Sequence, residues 1–476
     1  MLQSTIRYVI VRGLLSAVGI ATLILTVRLL GPSETGKMAL VVGLISILGP
    51  LPAFGTDSAL ARFVVGARRQ ETLALYARAF RVVGVGAVLL VAAIGALAQL
   101  NLLPQEVRSI VPLVVAVGLT YSVVLVHVYM LRGLGRLNLS SVVEGTVEIG
   151  PRVLVIPLLL LLTPSYVLYV KAQWVAVTAC LLLSVWAVRQ SLPAETAALP
   201  AREAPRGYRL YASQAWIAAL LALVFVNTSI WILRYYRTPD EVGLFSVAQR
   251  LPNLLGAVLL APLMTPLLYH YTADESLQKR SHTLLQGITL LSGGMGAVSL
   301  VLAGLSGFIA RGVFGPAFSA AAPAFRLYAF VLFLAAPHPV LQSLMFSQNR
   351  VHVLNLMTAI QLLVLGALGV ALTPRYGIVG ATGAVLATYV VGNLLLAWWI
   401  RDALPGLPQL LARLYILLAP FALLAATPAW FLAPVAFPAA LLLTATLERA
   451  TLRRVLGGIR LMVRGPRVRA GGSPAG

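Results

Sequence analysis

Carboxylates are scarce in this chain. Only 14 Asp and Glu stand against 36 Lys and Arg in 476 residues, so charged residues make up 11% and the formal net charge is +22. A soluble domain carries about 25% charged residues, so a water-facing surface cannot be assembled here. Cysteine is nearly missing too. Cys180 stands alone in an apolar run, which excludes intramolecular disulfides and leaves the thiol as a small packing residue. The five His are scattered, and a lone His inside an apolar run is a hydrogen-bonded packing residue rather than a metal ligand, as expected for His127 and His338. Nothing in the sequence asks for a cofactor or a metal. The basic excess would suit nucleic acid, yet no zinc spacing, stacking motif or amphipathic reading helix accompanies it.

What the chain does have is apolar length. Hydrophobic residues make up 59% and the mean hydropathy is +0.91. Residues 82–105, 109–131, 211–233, 283–310, 327–349, 351–374 and 376–400 contain no charge at all. Each run exceeds the roughly 20 residues a helix needs to cross the hydrocarbon core. The fold class is therefore an all-α polytopic membrane protein. Punctuation between apolar runs predicts about 14 transmembrane helices, near 9–30, 38–57, 81–101, 109–131, 142–162, 165–188, 211–233, 242–270, 284–307, 322–346, 353–373, 377–400, 410–427 and 430–447. The basic start of the chain resembles a signal peptide, but Val27-Arg28-Leu29-Leu30 offers no small-residue cleavage site, so the first span is expected to be retained.

Counting Lys and Arg on alternate sides places 25 of the 36 with the N-terminus and seven opposite. This bias predicts that both termini are cytoplasmic. The other four, Arg152, Lys171, Arg250 and Arg326, fall in or near spans.

The polar turn GPSETGKMAL at 31–40 returns as TPDEVGLFSV at 238–247. Pro32, Glu34 and Gly36 fall on Pro239, Glu241 and Gly243, each 207 residues on. Six spans separate the copies, an even number, so the repeats run parallel, related by an axis along the membrane normal. Arg136-Leu137-Asn138-Leu139 echoes Arg350-Val351-His352-Val353 in the matching places. The expected organisation is an N-lobe over 1–189, a cytoplasmic linker over 190–209 and a C-lobe over 210–401. A helix hairpin over 402–448 and a basic tail over 449–476 follow. The turn itself reads as a hairpin device: Pro starts it, the carboxylate suits the next helix's first turn, and Gly lets the backbone reverse.

RLLGPSETGKMALVVGLISILGPLPAFGTDSALARFVV at 28–65 resembles the first two helices of Wzx-type polysaccharide flippases. These are lipid-linked oligosaccharide flippases of the multidrug/oligosaccharidyl-lipid/polysaccharide exporter superfamily. EVGLFSVAQRLPNLLGAVLLAPLMTPLL at 241–268 is similar to that family's eighth helix, and RGVFGPAFSAAAPAFRLYAF at 311–330 to its turn between spans nine and ten. The family's usual aromatic before the turn Gly is replaced here by Thr35 and Val242. The resemblance implies two MATE-like lobes rocking about a central cationic cavity. The cavity would move a polyprenyl-diphosphate-linked oligosaccharide from the cytoplasmic to the outer leaflet of a bacterial membrane. Polysaccharide polymerase and glycosyltransferases would be partners of the same assembly.

Charged side chains inside a span each cost about 2.5–3.5 kcal/mol, so they must be paired or wet. Glu144, Glu148 and Arg152 share one face of the fifth span at spacing four, with Glu148 and Arg152 placed to neutralise each other in part. They read either as a structural ion pair or as a stripe holding a coupling cation or sugar hydroxyls. Arg250 and Asn253 share a face of the eighth span, and Arg250 either snorkels outward or, as the resemblance implies, meets the diphosphate. Asp57 and Arg62 close the second span, as a local pair or as functional groups. Gln214, Asn227, Gln342 and Asn393 could bond sugars or join helices. Ser292-Gly293-Gly294-Met295-Gly296 suits close packing or bending of the ninth span. The Arg-rich tail is expected against anionic lipid.

Two other functions fit parts of this sequence. A cation-coupled drug or metabolite antiporter would use Glu144, Glu148 or Asp57 as its ion site in an acidic or apolar pocket. A membrane glycosyltransferase or ligase would need a sizeable outer loop, and the outer loops here are only a few residues long. A non-enzymatic transporter is the leading reading.

Overall fold

The computed structural model describes residues 2–192, 207–272, 277–347 and 351–415, apart from 66, 68, 102, 402, 403 and 405. Among the described residues the regular structure is helical, without strands. Helix α1 (Leu2–Leu48) carries the first two expected spans and is divided at Gly31, whose φ of 74° only glycine adopts cheaply. Pro32 follows and removes a helix amide. The short α2 (Thr56–Phe63) completes the second span. Spans three to six are α3 (Arg69–Gln99), α5 (Val111–Gly133), α6 (Leu137–Leu161) and α7 (Tyr166–Ser191), with α4 (Gln105–Arg108) as a brief turn between α3 and α5. Spans seven to nine are α8 (Tyr208–Tyr236), α9 (Pro239–Thr272) and α10 (Leu277–Gly304).

Span ten departs from the expected single helix. After α11 (Ser306–Phe308) and the glycine turn at Gly315 (φ 109°), it is built from three pieces, α12 (Ala322–Tyr328), α13 (Val331–Ala335) and α14 (His338–Ser347). Pro337 and Pro339 lie beside the last break, and each removes an amide donor from the helix ladder. Helix α15 (Val351–Trp399) carries spans eleven and twelve across a break at Gly377 (φ 56°). Forty-nine helical residues would measure roughly 74 Å, more than twice the ~30 Å hydrocarbon core, so a break is required.

Eight stretches among the described residues are long and apolar enough to cross a bilayer. Two of these, Ala17–Ala53 and His352–Trp399, run to 37 and 48 residues and hold two expected spans each. The chain is a multi-pass membrane protein. The described helices accommodate the first twelve expected spans, and residues 407–415 begin the next. Most of the linker, the rest of the closing hairpin and the basic tail lie outside the described residues.

Buried side chains sort by halves. One cluster draws its residues from Leu30 to Ala212, spanning α1 to the start of α8. Three others draw mainly on α8 to α15, joined by Leu23, Val27, Ala39 and Leu40 of α1. Helix α1 thus belongs to the N-lobe and lies along the C-lobe. Gly293 and Gly294 have open space where a side chain would start, so they serve no close helix contact.

Candidate functional site at the lobe interface

The two polar turns meet. A methyl added to Gly36 would lie 1.9 Å from the carbonyl oxygen of Pro239, and one on Gly243 would lie 1.9 Å from that of Pro32. The contact is reciprocal, as a two-fold relation demands, so the lobes are parallel copies joined at this end. The turn is therefore a lobe-to-lobe contact as well as a hairpin device. Its carboxylates stand in the first turn of the following helix, as expected, and take on a further contact. Glu34 accepts a 2.7 Å hydrogen bond from the Tyr166 amide, at the N-terminus of α7, and pairs with Lys37 at 2.6 Å. Glu241 takes the equivalent place in the C-lobe, against Gly377, where an added methyl would meet its carboxylate at 3.0 Å. Glu34 thus serves the N-terminus of its own lobe's last helix, where partial positive charge favours an anion, while Glu241 pairs with Arg237 at 3.8 Å beside Gly377.

Two further contacts close this end, which the charge count assigns to the outside. Arg234 of α8 grips Oε1 of Glu106 in α4 at 2.7 and 3.1 Å. Arg28 of α1 donates to the Gly312 carbonyl at 3.0 Å. Lys171 is exposed near the same end.

The opposite end is closed by aromatics. Phe54 stacks on Trp216 at 4.9 Å, and the Trp216 indole donates to the Leu51 carbonyl at 3.2 Å. Phe63 packs on Tyr208 and Tyr211 of α8. Arg62 is exposed and sits over the Tyr211 ring at 4.6 Å. Asp57 is buried and accepts from the Ser58 amide at 2.7 Å. The described ion pairs do not include Asp57 with Arg62; the helix turn carries the arginine outward to the C-lobe aromatics instead.

Between the ends, Asn227 of α8 donates to Ser46 of α1 at 3.3 Å and to the Leu223 carbonyl at 2.8 Å. It therefore links α8 to α1 across the lobes at this depth rather than facing an open cleft. Gln214 is half-buried, its carbonyl accepting from Asn355 at 3.3 Å, and Gln342 is half-buried in α14. Asn393 joins helices, donating to the Leu334 carbonyl at 2.8 Å, with its side-chain oxygen 2.9 Å from His338. His127 lies 2.9 Å from the Ser184 hydroxyl.

The fifth-span stripe is resolved differently from the sequence reading. Glu144 pairs with Arg132 at 2.7 Å, Glu148 is exposed, and Arg152 donates to the Gly19 carbonyl at 3.0 Å. The expected neutralisation of Arg152 by Glu148 does not occur among the described ion pairs. Arg152 Nε is buried without a hydrogen bond. Arg250 of the C-lobe lies within electrostatic range of Arg152 and of the Tyr169 phenol. Its neighbour Asn253 is half-buried on the same helix, and Gln249 donates to the Val226 carbonyl at 3.0 Å. One guanidinium from each lobe thus stands in the same mid-depth region, and no described carboxylate pairs with either. Sequence reasoning passed over Glu106, Trp216, Phe54 and Tyr169. Glu106 had a signal, as the sole carboxylate between Glu71 and Glu144.

Two parallel helical lobes, closing against each other at both ends around uncompensated arginines, define a two-lobed membrane protein of the MATE-like class. The family model described as polysaccharide biosynthesis protein matches residues 1–271, over half of the chain, and the chain belongs to that family. Among solved structures the fold is similar to the lipid II flippase MurJ in an inward closed conformation, with TM-score 0.68 and 11% identity over 94% of this chain and 100% of that one. It is similar to an inward-facing multidrug resistance MATE transporter of the MOP superfamily, with TM-score 0.63 and 14% identity over 83% of this chain and 96% of that one. A MOP superfamily transporter from Pyrococcus furiosus, described as having a binding pocket of reverse polarity, matches with TM-score 0.60 and 13% identity over 84% and 96%. At these identities the likeness is one of fold. No match is found among curated protein sequences.

Proposed function

We propose that this chain flips a polyprenyl-diphosphate-linked oligosaccharide from the cytoplasmic to the outer leaflet of a bacterial inner membrane. It would do so by alternating access, with both termini cytoplasmic, in assembly of a surface polysaccharide such as O-antigen, capsule or exopolysaccharide. The supporting observation is that Arg152 and Arg250, one from each lobe, lie within electrostatic range of each other and neither belongs to a described ion pair. Two such charges inside a membrane protein are costly, and a diphosphate is the ligand that offsets both. Transport needs no bond chemistry from the protein, so no residue is assigned a catalytic role. The polar side chains of Asn253, Gln214 and Gln342 are the ones to meet sugar hydroxyls as the lobes part. Family membership and the fold shared with the lipid II flippase support this reading. The antiporter alternative places a coupling ion on Glu144, Glu148 or Asp57, and the Glu144–Arg132 pair weighs against the first of these.

The test is export of surface polysaccharide in cells whose only copy is Arg152→Ala, Arg250→Ala or both. A hydrogen bond to a charged group contributes about 1.5–3 kcal/mol, so each single variant should lose about tenfold or more of export while the protein stays in the membrane. Arg→Lys should keep part of it. Undiminished export by the double variant would remove the arginines from the passage.

A further inference from the structure

Beside the inner seam the N-lobe holds a cavity of about 360 Å³, lined by Phe54, Arg78, Arg81, Val82 and Val85. It is a groove open on its outer side rather than an enclosed pocket. Four of these residues come from α3, and their spacing puts them on one helical face. Phe54 closes the other side. Its φ of 44° is left-handed, unusual for a bulky residue, and the Trp216 stack and the bond from its amide to the Leu51 carbonyl hold it there.

Arg78 lies 6.0 Å from the Tyr208 ring centre, so its guanidinium keeps free donors. Arg81 is exposed and has no partner among the described residues. Asp57 is close enough for Tyr208 to feel its charge along with that of Arg78, but Asp57 is buried and does not line the cavity. The lining is therefore doubly cationic. Beyond Arg81 the same helix presents Val85, Val88 and Leu89, all exposed, as an apolar ladder running towards mid-membrane.

We infer that this cavity is a docking site for the diphosphate head of the lipid-linked substrate at the inner leaflet, with its chain laid along the α3 ladder. The inference rests on the flippase reading above and adds a site separate from Arg152 and Arg250. Two guanidiniums matched to two phosphates, over an apolar track of about 12 Å from Arg81 to Leu89, fit a diphosphate lipid better than a one-phosphate phospholipid. The position also matters. The Phe54 wall is one half of the contact with Trp216 that closes this end, so an occupant would stand at the entrance between the lobes.

The test uses the full chain in nanodiscs with a photoreactive residue at Val82 and undecaprenyl diphosphate as probe. Crosslinking at Val82 should fall about tenfold in Arg78→Gln/Arg81→Gln, and about threefold in Arg81→Gln alone, where the exposed side chain bears no folding role. It should persist in Arg152→Ala/Arg250→Ala. Unchanged crosslinking in the double α3 variant overturns the inference. So does equal competition by phosphatidylglycerol, which would mark a general anionic-lipid contact. Since the α3 crosslink and the export of the Arg152 and Arg250 variants are read separately, either proposal can fail without the other.

Discussion

Substituting Gly36 by Ala should force the outer ends of the lobes apart. The added methyl would stand 1.9 Å from the Pro239 carbonyl oxygen and 2.9 Å from the Gly243 nitrogen, both backbone atoms that no rotamer change can move. Ordinary carbon–oxygen contact begins at about 3.3 Å, so the turns must separate by roughly 1.4 Å. Overpacking of this kind costs about 1–3 kcal/mol. Because the strain exists only where the turns touch, it shifts the balance towards a state with the outer ends parted by about 5- to 150-fold. Spin labels at Ser33 and Asp240, one on each turn, report the separation; the lone Cys180 makes a cysteine-free background one substitution away. Gly36→Ala should add a longer-distance population, and Gly36→Ala/Gly243→Ala should enlarge it. Gly84→Ala, with open space around it, is the control that should change nothing. Wild-type distances in the double variant would refute the claim that these turns form the outer seam.

Three further outcomes follow from the same contacts. Glu106→Gln should weaken the grip of Arg234, which is 31% exposed and can be resolvated, so the spin-label shift should be smaller, on the order of 1 kcal/mol or less. Trp216→Ala removes the Phe54 stack and the bond to Leu51, and should raise maleimide labelling of a cysteine placed at Ala212 several-fold from the cytoplasmic side. Glu144→Gln should leave polysaccharide export at half of wild type or better, because that carboxylate is engaged by Arg132; loss of export would instead favour an ion-coupling role.

Much of the architecture was legible before any coordinates. Apolar runs of more than about 20 residues can only be satisfied as membrane helices, since every backbone group must be bonded within the segment. Glycine beside proline marks a break, and Gly31-Pro32 sits where the first two helices divide. The repeat at 207 residues predicted parallel lobes, which the reciprocal contact of Gly36 and Gly243 bears out. Arg152 and Arg250 stood out because charge in a greasy span is expensive, and the structure places them within electrostatic range of each other. Local pairing rules failed beside them. Spacing alone proposed Glu148 for Arg152 and Arg62 for Asp57, whereas Arg152 reaches Gly19 and Arg62 reaches Tyr211.

The amino-acid order by itself determined most of the helices, the breaks at Gly31 and Gly377 and the parallel repeat, because hydropathy, glycine geometry and periodicity act over a few residues to one span. Only the tertiary structure decided which groups meet. Glu34 with the Tyr166 amide, Arg152 with Gly19 and Arg234 with Glu106 are 132, 133 and 128 residues apart. Such partners are chosen by how helices pack side by side, and that choice leaves no mark in the local pattern of the chain.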